Sequence, residues 1–502
     1  MKEHNSDGYD HVLKYTGVFG GVQGLVILIG LVRNKVMALL IGAGGMGLSS
    51  LLTSVQTFAS QCTNLGIAFG AVPRLSELYE QGDSQRLDHF IAVVRLWCAL
   101  AAVGGLLFCV LLSHFVDQVT FSWGNHTMHY SALGLSVAML AVTGGETAIL
   151  KSTRRLGALA RIQIYAALFS VLVSIPFYYF LGHSGVLPVI VLMALGSMVA
   201  TVAYSYRFHP LRLQLNRELL REGSGMVKLG VAFVVAAAVG SAAEVLVRAF
   251  LNVEGGLDVV GLYNAGYMIT VTYGGMVFSA MESDYFPRLS AVNHDVLKTN
   301  ETVNKQMEVS LLLLSPMLVA LLTALPILIP LLFSGEFMAI VGMTQVAVLA
   351  LYFKVLTLPV AYITLARGRS LAFLLLESAY FLAFVALMVV GYRCWGIYGT
   401  GLAIVAVHVV DYLMINAFAY WQYSYRCTTS VVRYGAVQLT VGVAAYLVSC
   451  AAEGWLYWTT EAALTMVSTA YSVYVLRQKT HLWEALRLKV QNLKSNSASK
   501  KL

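Results

Sequence analysis

Stretch after stretch of this chain is apolar for the length that a bilayer demands. A helix needs roughly 20 apolar residues to cross hydrocarbon, and such lengths recur from residue 12 to residue 476. Fourteen spans fit: 12–40, 44–72, 89–116, 128–150, 157–181, 184–206, 227–251, 257–283, 307–333, 338–366, 370–391, 395–423, 430–450 and 455–476. Lipid offers the backbone no hydrogen-bond partner, so a chain of this kind folds as membrane helices. Hydrophobic residues make up 58% of the 502 and charged residues only 12%, which excludes a water-soluble protein of this length. The least secure boundary is the glycine-rich run from Ile41 to Gly47, because a kink inside one helix would look the same. Twelve spans remain if the last pair is re-entrant or interfacial.

The formal net charge of +8 suggests nucleic acid until the positions of the charges are read. They sit in short connections: Arg74 and Arg86 after span two, Lys151 and Arg154 after span four, Arg207 to Lys228 after span six, Arg288 and Lys298 after span eight. Arg367, Arg369, Arg426 and the tail from Arg477 continue the series, while the alternate connections are nearly free of positive charge. The positive-inside rule then puts both termini in the cytoplasm and leaves no nucleic-acid partner to expect. The polar first ten residues lack a cleavable signal pattern. Six scattered cysteines, with no CxxC pair and no histidine at ligand spacing, read as small buried hydrophobes rather than a metal site. No connection is long enough for a catalytic domain, and no phosphate-binding P-loop pattern occurs. Neither an enzyme nor a cofactor is expected.

An internal repeat organises the spans. Gly47-Leu48 and Pro73-Arg74-Leu75-Ser76 match Gly261-Leu262 and Pro287-Arg288-Leu289-Ser290 at one constant separation. Leu31-Val32-Arg33 matches Leu246-Val247-Arg248 one residue off that register. Several matches in register argue for duplicated units. Six spans separate the copies, and an even number leaves them in the same orientation, about an axis along the membrane normal. The expected domains are an N-terminal bundle (1–206), a basic cytoplasmic linker (207–226), a C-terminal bundle (227–424), an extra pair of spans (425–476) and a basic tail (477–502).

An ionisable residue inside a span is a functional candidate by default. Arg33 and Lys35 lie late in span one. Residues two apart point to nearly opposite sides of a helix, so one faces the lumen; Arg248 mirrors Arg33 and favours it. Snorkelling to headgroups is the plainer reading, especially for Lys35. Glu244 and Arg248, at i and i+4, can pair, either to let span seven insert or as an arginine whose partner exchanges when an anion arrives. Lys354 and Asp411 fall near mid-depth with His408 one turn before Asp411, which suggests an ion pair, a cavity lining or a proton relay, although His408 also suits a hydrogen-bonded interior position. Glu146 can simply pair with Lys151. Glu282, Asp284 and Arg288 end span eight, where they would form either a gate closing against Arg74 and Glu77 or an ordinary helix exit at Pro287.

The run from Leu31 to Glu77 resembles the start of bacterial O-antigen translocases, and the run from Val260 to Val292 their seventh-to-eighth span region. These belong to the multidrug/oligosaccharidyl-lipid/polysaccharide exporter superfamily; the peptidoglycan-precursor flippase is a cousin whose lumen is richer in arginine. The resemblance implies an all-α polytopic fold of two six-helix bundles plus two further helices, in a bacterial inner membrane. It implies movement of an undecaprenyl-diphosphate-linked oligosaccharide from the cytoplasmic to the periplasmic leaflet by alternating access, with membrane lipids around it and polysaccharide polymerases or glycosyltransferases as candidate partners. Arg33, Arg248, Lys35 and Lys354 would meet the substrate; Glu244, Asp411 and His408 would pair or couple; Glu282, Asp284, Arg288 and Arg74 would gate. A multidrug or cation antiporter of the same fold would want carboxylates in its cavity. A membrane enzyme of polysaccharide assembly would need a large outer loop or a catalytic pair such as His408 and Asp411.

Overall fold

The computed structural model describes residues 4–120, 126–211 and 217–479, and among them every regular element is helical. In chain order they are α1 (His4–Thr63), α2 (Ile67–Glu80), α3 (Ser84–Thr120), α4 (Thr127–Ser152), α5 (Leu156–Leu181), α6 (Val186–Phe208) and α7 (Arg217–Tyr267). Then follow α8 (Gly274–Val292), α9 (Val296–Leu332), α10 (Val341–Val348), α11 (Ala350–Ala366), α12 (Ser370–Tyr423), α13 (Thr429–Ala451) and α14 (Gly454–Lys479).

Several continuous runs are too long to be one span. Ser370–Tyr423 has 54 residues, roughly 80 Å of helix against about 30 Å of hydrocarbon. Backbone breaks divide the longest of them: α1 at Gly42 (φ 62°, ψ −165°), α7 at Gly256 (φ 80°, ψ 177°) and α12 at Trp395–Gly396. Positive φ with an extended ψ is territory that only glycine enters without strain. The glycine run at 41–47 therefore ends one span and opens the next. With α2, α8 and α11 taken as continuations of the segments before them, the helices make fourteen segments in the order of the expected spans. Span two departs from the sequence expectation: positive φ at Leu65 and Gly66 interrupts what reads as one helix. Span eight passes through a π-helical turn at Met268–Tyr273.

The backbone divides into two compact units. The first comprises Met1–Ala265, Ile329–Ala339 and Glu377–Tyr392; the second comprises Gly266–Leu328, Ile340–Leu376 and Arg393–Leu502. In the first unit α3 packs along α4, burying Val93, Val94, Leu133, Val137 and Ile149 completely. Leu111, Leu172 and Phe180 are largely exposed on its helices, as a surface facing hydrocarbon requires. In the second unit Leu325, Met343, Ala347, Val355 and Val407 are buried, while Trp421, Leu371 and Leu413 point outward.

Within the first unit the second segment of α1 crosses the end of α7 at backbone contact. A β-carbon on Gly47 would lie 1.9 Å from the Leu257 carbonyl oxygen, and one on Gly261 would lie 1.9 Å from that of Ala43. The two contacts exchange under the repeat. Ser50 and Asn264, hydrogen-bonded at 2.8 Å, stand 214 residues apart, and Gly47 and Gly261 keep the same register. Like meets like at successive positions, so the two segments run in the same direction.

Candidate functional site

A cavity of about 600 Å³ opens in the first unit between both segments of α1 and the helices α4, α5 and α6. Its wall is mostly small or polar where a lipid-facing surface would be leucine. Gln23, Gln56, Gln163, Ser49, Thr53 and Tyr178 supply hydrogen-bonding groups, and Gln23 Nε2 donates to Gln163 Oε1 at 3.3 Å. Among the lining residues Arg33 carries the only charge. Its Nη1 reaches Met193 Sδ at 3.6 Å, a weak acceptor, and its Nε is buried without a hydrogen-bond partner. A guanidinium has five N–H donors in a fixed fork. The guanidinium lies at a chamber whose described lining presents no carboxylate to it, so an anionic ligand with paired oxygens matches the site.

Lys35, two residues on, turns away as the helical spacing requires and donates to the Pro330 carbonyl at 2.7 Å. Arg248 is in a different situation from Arg33. It is buried; its Nε donates to Ser50 Oγ at 2.7 Å, its Nη1 to Glu244 Oε2 at 3.0 Å, and its Nη2 to Asn264 Oδ1 at 3.4 Å. The repeat thus puts one arginine on a cavity wall and knits the other into the α1–α7 crossing.

In the second unit Lys354 lies with its Nζ 5.8 Å from the centre of the Phe278 ring. His408 is buried and its Nδ1–H donates to the Ile404 carbonyl at 2.8 Å; Asp411 is half-buried one turn on. Arg74 pairs with Glu77 on its own helix at 2.7 Å, and Arg288 donates to Gln306 at 3.2 Å. The side chains of Glu282 and Asp284 lie outside the described residues.

Sequence reasoning misassigned Glu146. It pairs with Arg95, not Lys151, through two contacts of 2.7 and 3.1 Å. Ser205 Oγ donates to the same carboxylate at 2.6 Å, and Arg95 also donates to the carbonyls of His209 and Pro210 at 2.8 and 3.1 Å. Both charges are buried, which such complete pairing permits. Arg95 lies inside the expected span 89–116, but nothing local in the sequence connects it to Glu146, 51 residues on and on another helix. Beside it, burial pushes the His209 imidazole below its ordinary value, against the opposing pull of Asp88.

These features define a polytopic α-helical membrane protein. Solved structures with the same fold include the lipid II flippase MurJ in an inward closed conformation, with a TM-score of 0.69 at 11% identity over 92% of this chain and 99% of that one. An inward-facing multidrug resistance MATE family transporter of the MOP superfamily gives 0.65 at 13% identity over 78% and 95%. A MATE crystallised with the ligand MaL6 gives 0.58 at 14% over 82% and 96%. At these identities the likeness carries the fold alone. No curated protein matches the sequence. The family model described as "Polysaccharide biosynthesis protein" matches residues 36–342, and the chain belongs to that family.

Proposed function

We propose that the protein is a flippase that carries an undecaprenyl-diphosphate-linked oligosaccharide, an O-antigen or related repeat unit, from the cytoplasmic to the periplasmic leaflet of a bacterial inner membrane. The observation that carries this reading is the Arg33 guanidinium, the one charge among the described residues that line the cavity, with a buried Nε that has no hydrogen-bond partner among them. A diphosphate suits that fork. The glutamine, serine and threonine side chains around it suit sugar hydroxyls, which cannot cross hydrocarbon unaided. The lipid tail never has to leave the bilayer, so the cavity needs to shelter only the headgroup.

The parallel α1–α7 crossing supports two like-oriented halves, 1–206 and 227–424, whose rocking would alternate access, with 425–476 as an added pair of spans. The distribution of Lys and Arg supports cytoplasmic termini. A cation antiporter would want a carboxylate where Arg33 stands, so the sign of the cavity's charge favours an anionic cargo. Arg33→Ala is expected to lower flipping of a lipid-linked oligosaccharide in proteoliposomes by roughly tenfold or more, the equivalent of one lost charge-assisted hydrogen bond, with Arg33→Lys recovering part. Unchanged flipping by Arg33→Ala removes the assignment, and transport of cationic dyes by the wild type in its place would favour the antiporter.

A further inference from the structure

Glu461 belongs to no site described so far. It lies on α14, roughly 10 Å along the helix from its N-terminal end, and its side chain is fully buried, at 0% exposure. Its Oε2 is 3.0 Å from Thr323 Oγ1 on α9, and its Oε1 is buried without a hydrogen-bond partner.

Among the described residues no cation is placed to neutralise it. α10 has no charged residue, and α9 has none beyond Glu308. On α14 the basic residues Arg477 and Lys479 come roughly 24 Å or more further along. Arg433 stands at the start of α13 and meets Tyr434. The other titratable groups on the neighbouring part of α13 are Tyr446, bonded to Tyr398, and Cys450. Tyr457, one turn before Glu461, donates its hydroxyl proton to the Thr323 carbonyl at 2.9 Å.

The Thr323 hydroxyl, together with the unpartnered Oε1, bears on the protonation state. Its Oγ1 lies 2.9 Å from the Val319 carbonyl, which can only accept, and a hydroxyl has one proton to donate. If that proton goes to Val319, the contact between Oγ1 and Glu461 Oε2 needs a proton from the carboxyl. Both contacts are satisfied together only when Glu461 is a neutral acid. As a carboxylate it would take the hydroxyl proton from Val319 and still leave a charged Oε1 unpartnered in an apolar wall, which is costly.

We infer that Glu461 is a proton-binding site that latches α14 to α9: neutral in this packing, and ionised only when the two helices part and water reaches it. Coupling of that proton to transport rests on the flippase reading; proton binding does not. Two measurements on the full-length protein in lipid vesicles separate them. Infrared difference spectra across pH should show a protonated-carboxyl band that is absent from Glu461→Gln and titrates at a different pH in Thr323→Val, which removes the partner and keeps the carboxyl. Superimposable spectra of the wild type and Glu461→Gln overturn the site. So does a wild-type band that disappears on adding sodium at constant pH, which would make it a sodium site. In a flipping assay with a lipid-linked oligosaccharide, an imposed pH gradient should speed the wild type several-fold and leave Glu461→Gln without that response. An equal response from both overturns the coupling. A wild type that flips nothing overturns the flippase reading and leaves the infrared result to judge Glu461.

Discussion

Arg33 and Arg248 occupy nearly matching places in a repeated sequence, yet their surroundings differ. Arg33 stands on a cavity wall with donors facing a polar space, while Arg248 is buried among Ser50, Glu244 and Asn264. One substitution accounts for part of the difference: the partner Glu244 of the second copy corresponds to Ile29 in the first. The crossing of α1 and α7 supplies the rest, since Ser50 and Asn264 meet there and face the second arginine. A duplication preserves backbone geometry more readily than side-chain duty. Backbone contact leaves room for glycine alone, whereas an arginine accepts whatever oxygen is near.

The largest expected effect tests the part of the comparison that is symmetric. Gly47→Val and Gly261→Val each place side-chain carbon where a carbonyl oxygen lies 1.9 Å away, so each should cost about 3 kcal/mol or more. Thermal unfolding in detergent should show similar losses for the two, and a tolerated valine at either would break the equivalence. The asymmetric part gives a smaller effect of opposite pattern. Arg248→Ala strands Ser50, Asn264 and a half-exposed Glu244, and should destabilise by about 1–3 kcal/mol. Arg33→Ala should stay within about 0.5 kcal/mol of the wild type while losing transport. Equal Tm losses for the two arginines would mean that both are structural.

The smallest effect concerns pH. Burial holds the His209 imidazole below its ordinary value beside the Arg95–Glu146 pair, so the folded protein binds this proton less readily than the unfolded chain, whose imidazole titrates at about 6.5. The contribution to stability is complete above that value and is lost as pH falls through the folded value. His209→Gln should flatten that acid-side slope of Tm against pH; an unchanged slope would assign it to other groups.

The helical segments and the register of the repeat were legible because hydrophobic length and glycine position are local properties. Residues 41–47 and 256 mark the helix breaks by composition, and the matches at Gly47 and Gly261 fall where the structure brings two backbones together. The pairing of buried Arg248 with Glu244, at i and i+4, was legible, but the partners of buried charges on different helices were not. Glu146 has Lys151 five residues away and pairs instead with Arg95, on another helix. Glu461 gave no local sign of its protonation, which depends on a threonine 138 residues distant. Glu244 against Ile29 separates Arg248 from Arg33 in the sequence itself, but the other atoms around them come from α5, α6, the second segment of α1 and the end of α7.

The sequence by itself determined that the chain lies in a membrane as a series of helices, because only a hydrogen-bonded helix can carry so long an apolar backbone through lipid. Which arginine meets a cavity, which carboxylate is paired and which keeps its proton were decided by the tertiary structure. Charge in a medium of low dielectric is governed by the few atoms within hydrogen-bond reach, and those atoms come from distant parts of the chain.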